Sequence, residues 1–271
     1  MNGEIRLGGM ALENGVLVHG PRYWACAVRL DDGTVRLASD RKSLRSVDVT
    51  SPVLRGPARV AEAVAVLPAL RRALPEARLP FFSARAVAAM VGTTIAVRSL
   101  RSSGLSPALQ EIAAALLAVV PATATLRGSD LAAYHGAEHI SIGSYEHGEL
   151  RPREHERCGS HILGPLLVTT AAGNALVSSV SPPGRRRSLA RLGVGIGSLA
   201  AATELFAWTL RHPDNPISRA LAWPGRELQT RVLTAEPTPA QLEVAQEALA
   251  ECLELELRDA AARAGSANGD L

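Results

Sequence analysis

The sequence predicts a mainly α protein: a helical, membrane-associated core with a small β-rich unit at its N-terminus and an amphipathic helix at its C-terminus. Three observations point there. Hydrophobic residues make up 47% of the chain and aromatics only 3%, so the apolar content is mostly Ala, Val and Leu, which pack as small-residue helices. Four later segments are apolar enough for buried or membrane helices, and only the region before residue 57 carries the turn-and-strand pattern of a sheet.

Residues 1–56 alternate glycine turns with short β-favouring runs. YWACAVRL, the turn DDG at 31–33 and TVRLAS read as a hairpin whose apolar residues fall on one face. From Pro57 onward helical periodicity takes over. ARVAEAVAVLPALRRAL spaces apolar residues three and four apart with arginines on the remainder, an amphipathic helix suited to a core or a bilayer surface. The apolar segments follow at 82–97, 106–126, 162–180 and 192–210. The last three approach the ~20 residues that cross a hydrocarbon core, interrupted by Glu111, Asn174 and Glu204. Gly193, Gly195 and Gly197 offer a small-residue surface for close helix packing. After Arg211, HPDNP is a loop and TPAQLEVAQEALAECLELELRDAAARA a helix. Thr238 is its N-cap, Pro239 its first-turn proline, and Leu242, Ala245, Leu249 and Leu253 its apolar stripe. The tail SANGDL is expected to fray. Three units result: the β-rich 1–56, a membrane-embedded helical core at 57–210 carrying a His/Glu/Cys loop at 127–161, and a soluble helical segment at 211–271.

The net charge of +3 comes almost wholly from arginine, since Lys42 is the only lysine. The basic residues are spread along the chain with no aromatic stacking positions among them, which argues against a nucleic-acid partner. Membrane lipid is the expected anionic partner. Arginine clusters at 98–101, 151–157 and 184–188 give no four-pass topology that obeys the positive-inside rule cleanly. Cysteines at 26, 158 and 252 form no paired framework and residues 1–20 lack a leader pattern, so the soluble segments are expected in a reducing cytoplasm.

The chemistry concentrates in YHGAEHISIGSYEHGELRPREHERCGSHI, which holds five of the seven histidines. His135, Glu138 and His139 stand in the order HxxEH. On a helix begun near the capping-competent Asp130, the two imidazoles lie one turn apart and can meet one cation. The glutamate between them is placed to take a proton from metal-activated water, and Zn²⁺ is the divalent metal these donors suit first. Gly136 within the motif weakens the helix by about 1 kcal/mol. His155 and Cys158, at HxxC spacing, are the preferred completion of the metal site. Glu146 is a competing oxygen ligand or an acceptor that orients one imidazole. His147 and His161 are weaker candidates, read as a turn residue and a helix-leading residue. If all four side chains bind, the site is closed and the metal structural. A non-enzymatic alternative is then a partner-docking scaffold, or a transporter lined by Glu111, Asn174 and Glu204.

GGMALENGVLVHGP, YHGAEHISIGSYE, HERCGS and NPISRALAWPGRELQTRVLTAEPTPAQLEVAQEAL, in this order, resemble the YqhQ-like family of uncharacterised bacterial membrane proteins, catalogued as predicted metal-dependent enzymes. The resemblance covers roughly residues 7–254. It implies a multi-pass inner-membrane protein and no particular substrate. The family motifs fall on Tyr134 to His139, on Glu146, and on His155, Arg157, Cys158 and Gly159. The sequence departs from the pattern at Ile140, where lysine is usual, and at Met10, where glutamine is usual. The glycines at 8, 9, 15 and 20 are retained and are expected to serve tight turns.

Overall fold

The computed structural model describes residues 5–182 and 184–268. It is mainly helical, with one antiparallel sheet near the N-terminus and apolar helices in the middle of the chain, as the composition and periodicity lead one to expect. The sheet is a meander of β1 (Gly8–Leu12), β2 (Gly15–His19), β3 (Tyr23–Arg29) and β4 (Val35–Arg41), paired in sequence order. Its hairpin registers include Leu12 opposite Gly15 and Arg29 opposite Val35.

The expected hairpin forms as β3 and β4, but its apolar residues do not fall on one face. β3 is buried along its whole middle, because helices cover the sheet on both faces. On one face Val16, Val18, Ala25 and Ala27 pack against Leu131, Tyr134 and Ala137 of α5 (Asp130–His147) and Val244, Ala245, Ala248 and Cys252 of α9 (Pro239–Asn268). On the other, Leu17, Trp24, Cys26 and Val28 meet Val66, Leu70 and Leu74 at the end of α1 (Pro52–Ala73) and just beyond it. Side chains alternate between faces along a strand, so a strand covered on both sides reads as an unbroken apolar run. The N-terminal sheet and the last helix therefore share one core.

Helix α1 starts five residues earlier than the change in composition suggests. Ser51 in extended conformation followed by Pro52 begins it, the pairing that also opens α3 at Ser106–Pro107 and α9 at Thr238–Pro239. Thr238 and Gln241 complete a capping box at α9: the Thr238 Oγ1 accepts from Gln241 N at 3.3 Å, and the Gln241 Oε1 from Thr238 N at 3.0 Å. The buried stripe of α9 is Val244, Ala245, Ala248 and Cys252, with Leu242 and Leu249 at its margin. The tail remains helical to Asn268, and 269–271 lie outside the described residues.

The remaining helices of the middle of the chain, α2 (Ala84–Arg101), α3 (Pro107–Leu117), α4 (Val120–Leu126), α6 (Leu163–Val180) and α7 (Arg185–Arg211), pack chiefly on one another. Three stretches, Pro107–Leu126, Gly159–Val180 and Arg185–Arg211, are long and apolar enough to cross a membrane, and most of each lies on the outside of the fold. α6 packs on α3 and α7, and α2 on α3 and α4. At one end of this group Glu111 accepts from Arg101 at 2.7 Å and from Arg191 at 2.9 Å. Arg191 also donates to Ser178 at 2.8 Å, which ties the ends of α2 and α6 to the starts of α3 and α7. Glu204 is paired with Arg55 of α1. Gly193, Gly195 and Gly197 face open space and seat no helix among the described residues, whereas Gly173 meets Val194 of α7. The other ends of the three stretches, at Leu126, Gly159 and Arg211, lead into α5, the Cys158 segment and α8 (Pro216–Leu228).

Candidate metal centre

Most of the segment 127–161 is helix and not loop. Ser129 caps α5, its Oγ accepting from Ala132 N at 3.4 Å, while Asp130 sits in the first turn and accepts from Gln241 at 3.3 Å. Gly148, with φ of 68°, closes the helix, and residues 149–158 then fold back along it.

His135 and His139 share a face of α5, their ring centroids 4.3 Å apart. His135 Nδ1 donates to the carbonyl of Leu233 at 2.9 Å, and His139 Nδ1 to that of Arg153 at 2.6 Å. A carbonyl only accepts, so each Nδ1 carries the ring proton and each Nε2 presents a lone pair. Both rings approach one sulfur: His135 Nε2 lies 3.6 Å from Cys158 Sγ, and His139 brings a ring nitrogen within 4.8 Å of the same atom. The three donor atoms lie within 4.8 Å of one another. Donors 2.0–2.3 Å from a tetrahedral zinc stand roughly 3.5 Å apart, so the donor set and its spacing suit that ion. Carbonyl bonds at the far ring nitrogens are the usual way a protein orients imidazole ligands.

Cys158 precedes a 3-10 turn, Gly159–Ile162, and its sulfur accepts from Ser160 N at 3.5 Å. His155, the preferred partner of Cys158 on the sequence, is not among the converging donors. Its Nε2 bonds Glu146 Oε2 at 3.0 Å, and its ring centroid is 5.5 Å from that of His139. Glu146 is also ion-paired to Arg157, which places it beside His155 and outside the three-donor group. Glu138 is buried against β1, where a methyl at Gly9 would overlap its carboxyl group. Burial pushes its carboxyl pKa up, and the nearby charges of His135 and His155 pull it back. Burial likewise lowers the pKa of His139, against the pull of Cys158, and lowers that of His155. His147 is exposed and bonds its own helix at Gly143, and His161 stacks on Phe206 of α7 with centroids 6.4 Å apart.

Two glycines explain themselves here. Gly136 lies under a crossing chain: Ala235 N donates to Ala132 O at 2.8 Å, and a methyl at 136 would overlap the Ala235 carbonyl oxygen. Gly9 admits Glu138. Neither it nor Gly8, Gly15 or Gly20 has a positive φ, so these residues serve close approach where tight turns are the expectation.

One participant has no signal in the sequence. Gln229 is fully buried at the start of a π-helical turn, Gln229–Leu233, the same turn whose last carbonyl holds His135. Its side chain accepts from His155 N at 3.0 Å and donates to His155 O at 3.3 Å and Ser160 Oγ at 2.6 Å. It thus clamps the His155 backbone before Cys158 and the Ser160 hydroxyl after it. π-turns often occur at functional sites.

Fold and site together define a helical protein with, among the described residues, three apolar helical stretches of membrane length and an imidazole–thiol cluster near a buried carboxyl group. Residues 126–255 match the model of a family described as a protein of unknown function (DUF1385). That stretch contains all three donors, Glu138 and Gln229. No curated protein and no solved structure matches the chain significantly.

Proposed function

We propose that the chain is a membrane-embedded, metal-dependent hydrolase holding a divalent cation, Zn²⁺ by the chemistry of its donors, on His135, His139 and Cys158. The observation that carries this is the convergence of two carbonyl-oriented imidazoles on one thiol. Three protein donors leave a fourth position for water or substrate, the pattern of catalytic zinc. A cation there supplies Lewis acidity toward a substrate oxygen and acidity to water. Glu138 holds and moves the proton, being on the same helix turn as both imidazoles and electrostatically coupled to His135. His155 bonded to Glu146, and Gln229 on the backbone, keep Cys158 in register.

The placing of His155 outside the three-donor group argues against the structural-zinc alternative, and the arginine pairing of Glu111 and Glu204 argues against the transport alternative. The three apolar helices and the resemblance to YqhQ-like proteins support a multi-pass inner-membrane location with the cluster on the cytoplasmic side.

The test is elemental analysis of purified protein. One zinc per chain is expected in the native protein, with loss in a His135→Ala, His139→Ala double variant; equal content in both refutes the assignment. The 3.6 Å contact between Cys158 and His135 favours a second reading, a thiol nucleophile paired with imidazole. Metal-free native protein alkylated selectively at Cys158, and not at the buried Cys26 and Cys252, would establish that reading instead.

A further inference from the structure

We propose that α8 is a lipid-surface helix lying in the headgroup layer of an anionic bilayer, which holds the His135, His139 and Cys158 cluster at the membrane surface. The proposal rests on the membrane-embedded reading above and adds to it which face meets lipid and where the cluster sits.

α8 follows the apolar stretch Arg185–Arg211 after only the short turn 212–215. With 13 residues it is far short of the ~20 that cross a hydrocarbon core. One side of it is small and buried. Ser218 and Gly225 face inward, and a methyl at Gly225 would strike the backbone of Ser160 and His161, so α8 lies flush on the turn that follows Cys158. The other side is exposed and amphipathic. Ile217 is 62% exposed and Trp223 57% exposed, with exposed Ala220 between them. At 100° per residue, Arg219 and Arg226 fall beside Trp223 on the next sector, and both are exposed.

An exposed tryptophan flanked by arginines on a short amphipathic helix is the composition of the bilayer interface, where the indole sits among headgroups and guanidinium groups reach phosphate. Continuity supports lipid as the occupant. The apolar stretches ending at Leu126 and Arg211 and the one beginning at Gly159 all reach this end of the fold, and they expose Leu116, Val168 and Leu210 among others. Because α8 rests on the turn after Cys158, its depth fixes the depth of the cluster.

The full chain is reconstituted into vesicles of phosphatidylcholine with phosphatidylglycerol, and native protein is compared with Trp223→Phe. The difference in emission reports Trp223, since Trp24 is buried in the sheet core and Trp208 is common to both proteins. Lipids brominated near the carboxyl end of the acyl chain are expected to quench that difference signal several-fold more than aqueous iodide does. Vesicle flotation separates the failures. Protein that floats while its Trp223 signal yields only to iodide overturns the role of α8 alone, as does a signal shielded from both quenchers, which would mean a second protein surface covers the helix. Protein that does not float with the vesicles overturns the membrane reading as well.

Discussion

Replacing Gly136 with alanine sets helix propensity against a crossing chain. In open helix the change gains about 1 kcal/mol. Here the new methyl would overlap the Ala235 carbonyl oxygen, with Arg153 Cβ 3.6 Å away on another side. A side chain could rotate aside, but this obstacle is backbone, held by the 2.8 Å bond from Ala235 N to Ala132 O. Overpacking costs about 1–3 kcal/mol, and backbone displacement belongs at the upper end, so the net effect is about 2 kcal/mol destabilising. Movement of Ala235 also drags Leu233, whose carbonyl holds the His135 ring. Gly92→Ala is the control, because Gly92 lies inside α2 with nothing near its would-be methyl. Thermal unfolding in detergent should place Gly136→Ala several degrees below native and Gly92→Ala at or slightly above it. A Gly136→Ala protein that melts with or above the Gly92→Ala control would refute the close approach and the helix packing built on it.

Gln229→Leu removes the clamp on the Cys158 segment and touches no donor, so zinc affinity measured by chelator competition should fall about 10–100-fold while the metal stays bound at saturation. His19, half-buried at the end of β2 near the charges of Lys42 and Glu62, has its pKa lowered to about 4 by burial first and then by the Lys42 charge. The folded protein then binds fewer protons than the unfolded chain, so this stability is complete above about 6.5 and is lost as pH falls toward about 4. The loss is at most about 3 kcal/mol, and chemical denaturation at stepped pH should show a shallower decline for His19→Gln. Lys42→Met strands Glu62 beneath the sheet, and equilibrium unfolding should show a loss of about 3–5 kcal/mol, with Lys42→Met, Glu62→Leu recovering most of it.

Helix positions were readable where caps and prolines coincide, at Ser106–Pro107 and Thr238–Pro239. The same signal at Ser51–Pro52 is masked by the change in composition at Pro57, although both prolines fit within one helix. The strands were readable from their composition, but burial on both faces was not, since the covering residues come from positions near 70, 134 and 245 and no local pattern ties them to β3. The HxxEH spacing placed two rings on one face because helical periodicity fixes it. Beyond Gly148 no period governs the chain, and HxxC spacing could not say that Cys158 joins those rings while His155 turns to Glu146. Gln229 acts from 74 residues beyond His155, through side-chain bonds to backbone that its own neighbours do not announce. The glycines stand out in the sequence, but only the fold shows that Gly9 and Gly136 make room for a carboxyl group and a peptide.

The wrapping of the sheet by α5 and α9 bears on how the molecule comes into being. During synthesis the strands emerge before the helices that cover them, and the α9 half of one cover emerges only after every apolar stretch has passed. Until then that face has at most its α5 cover, and contacts so distant along the chain form slowly. A nascent protein halted before Pro239 would own both imidazoles and the thiol yet lack the helix against which α5 is set, so competence should arrive only with translation of the final segment.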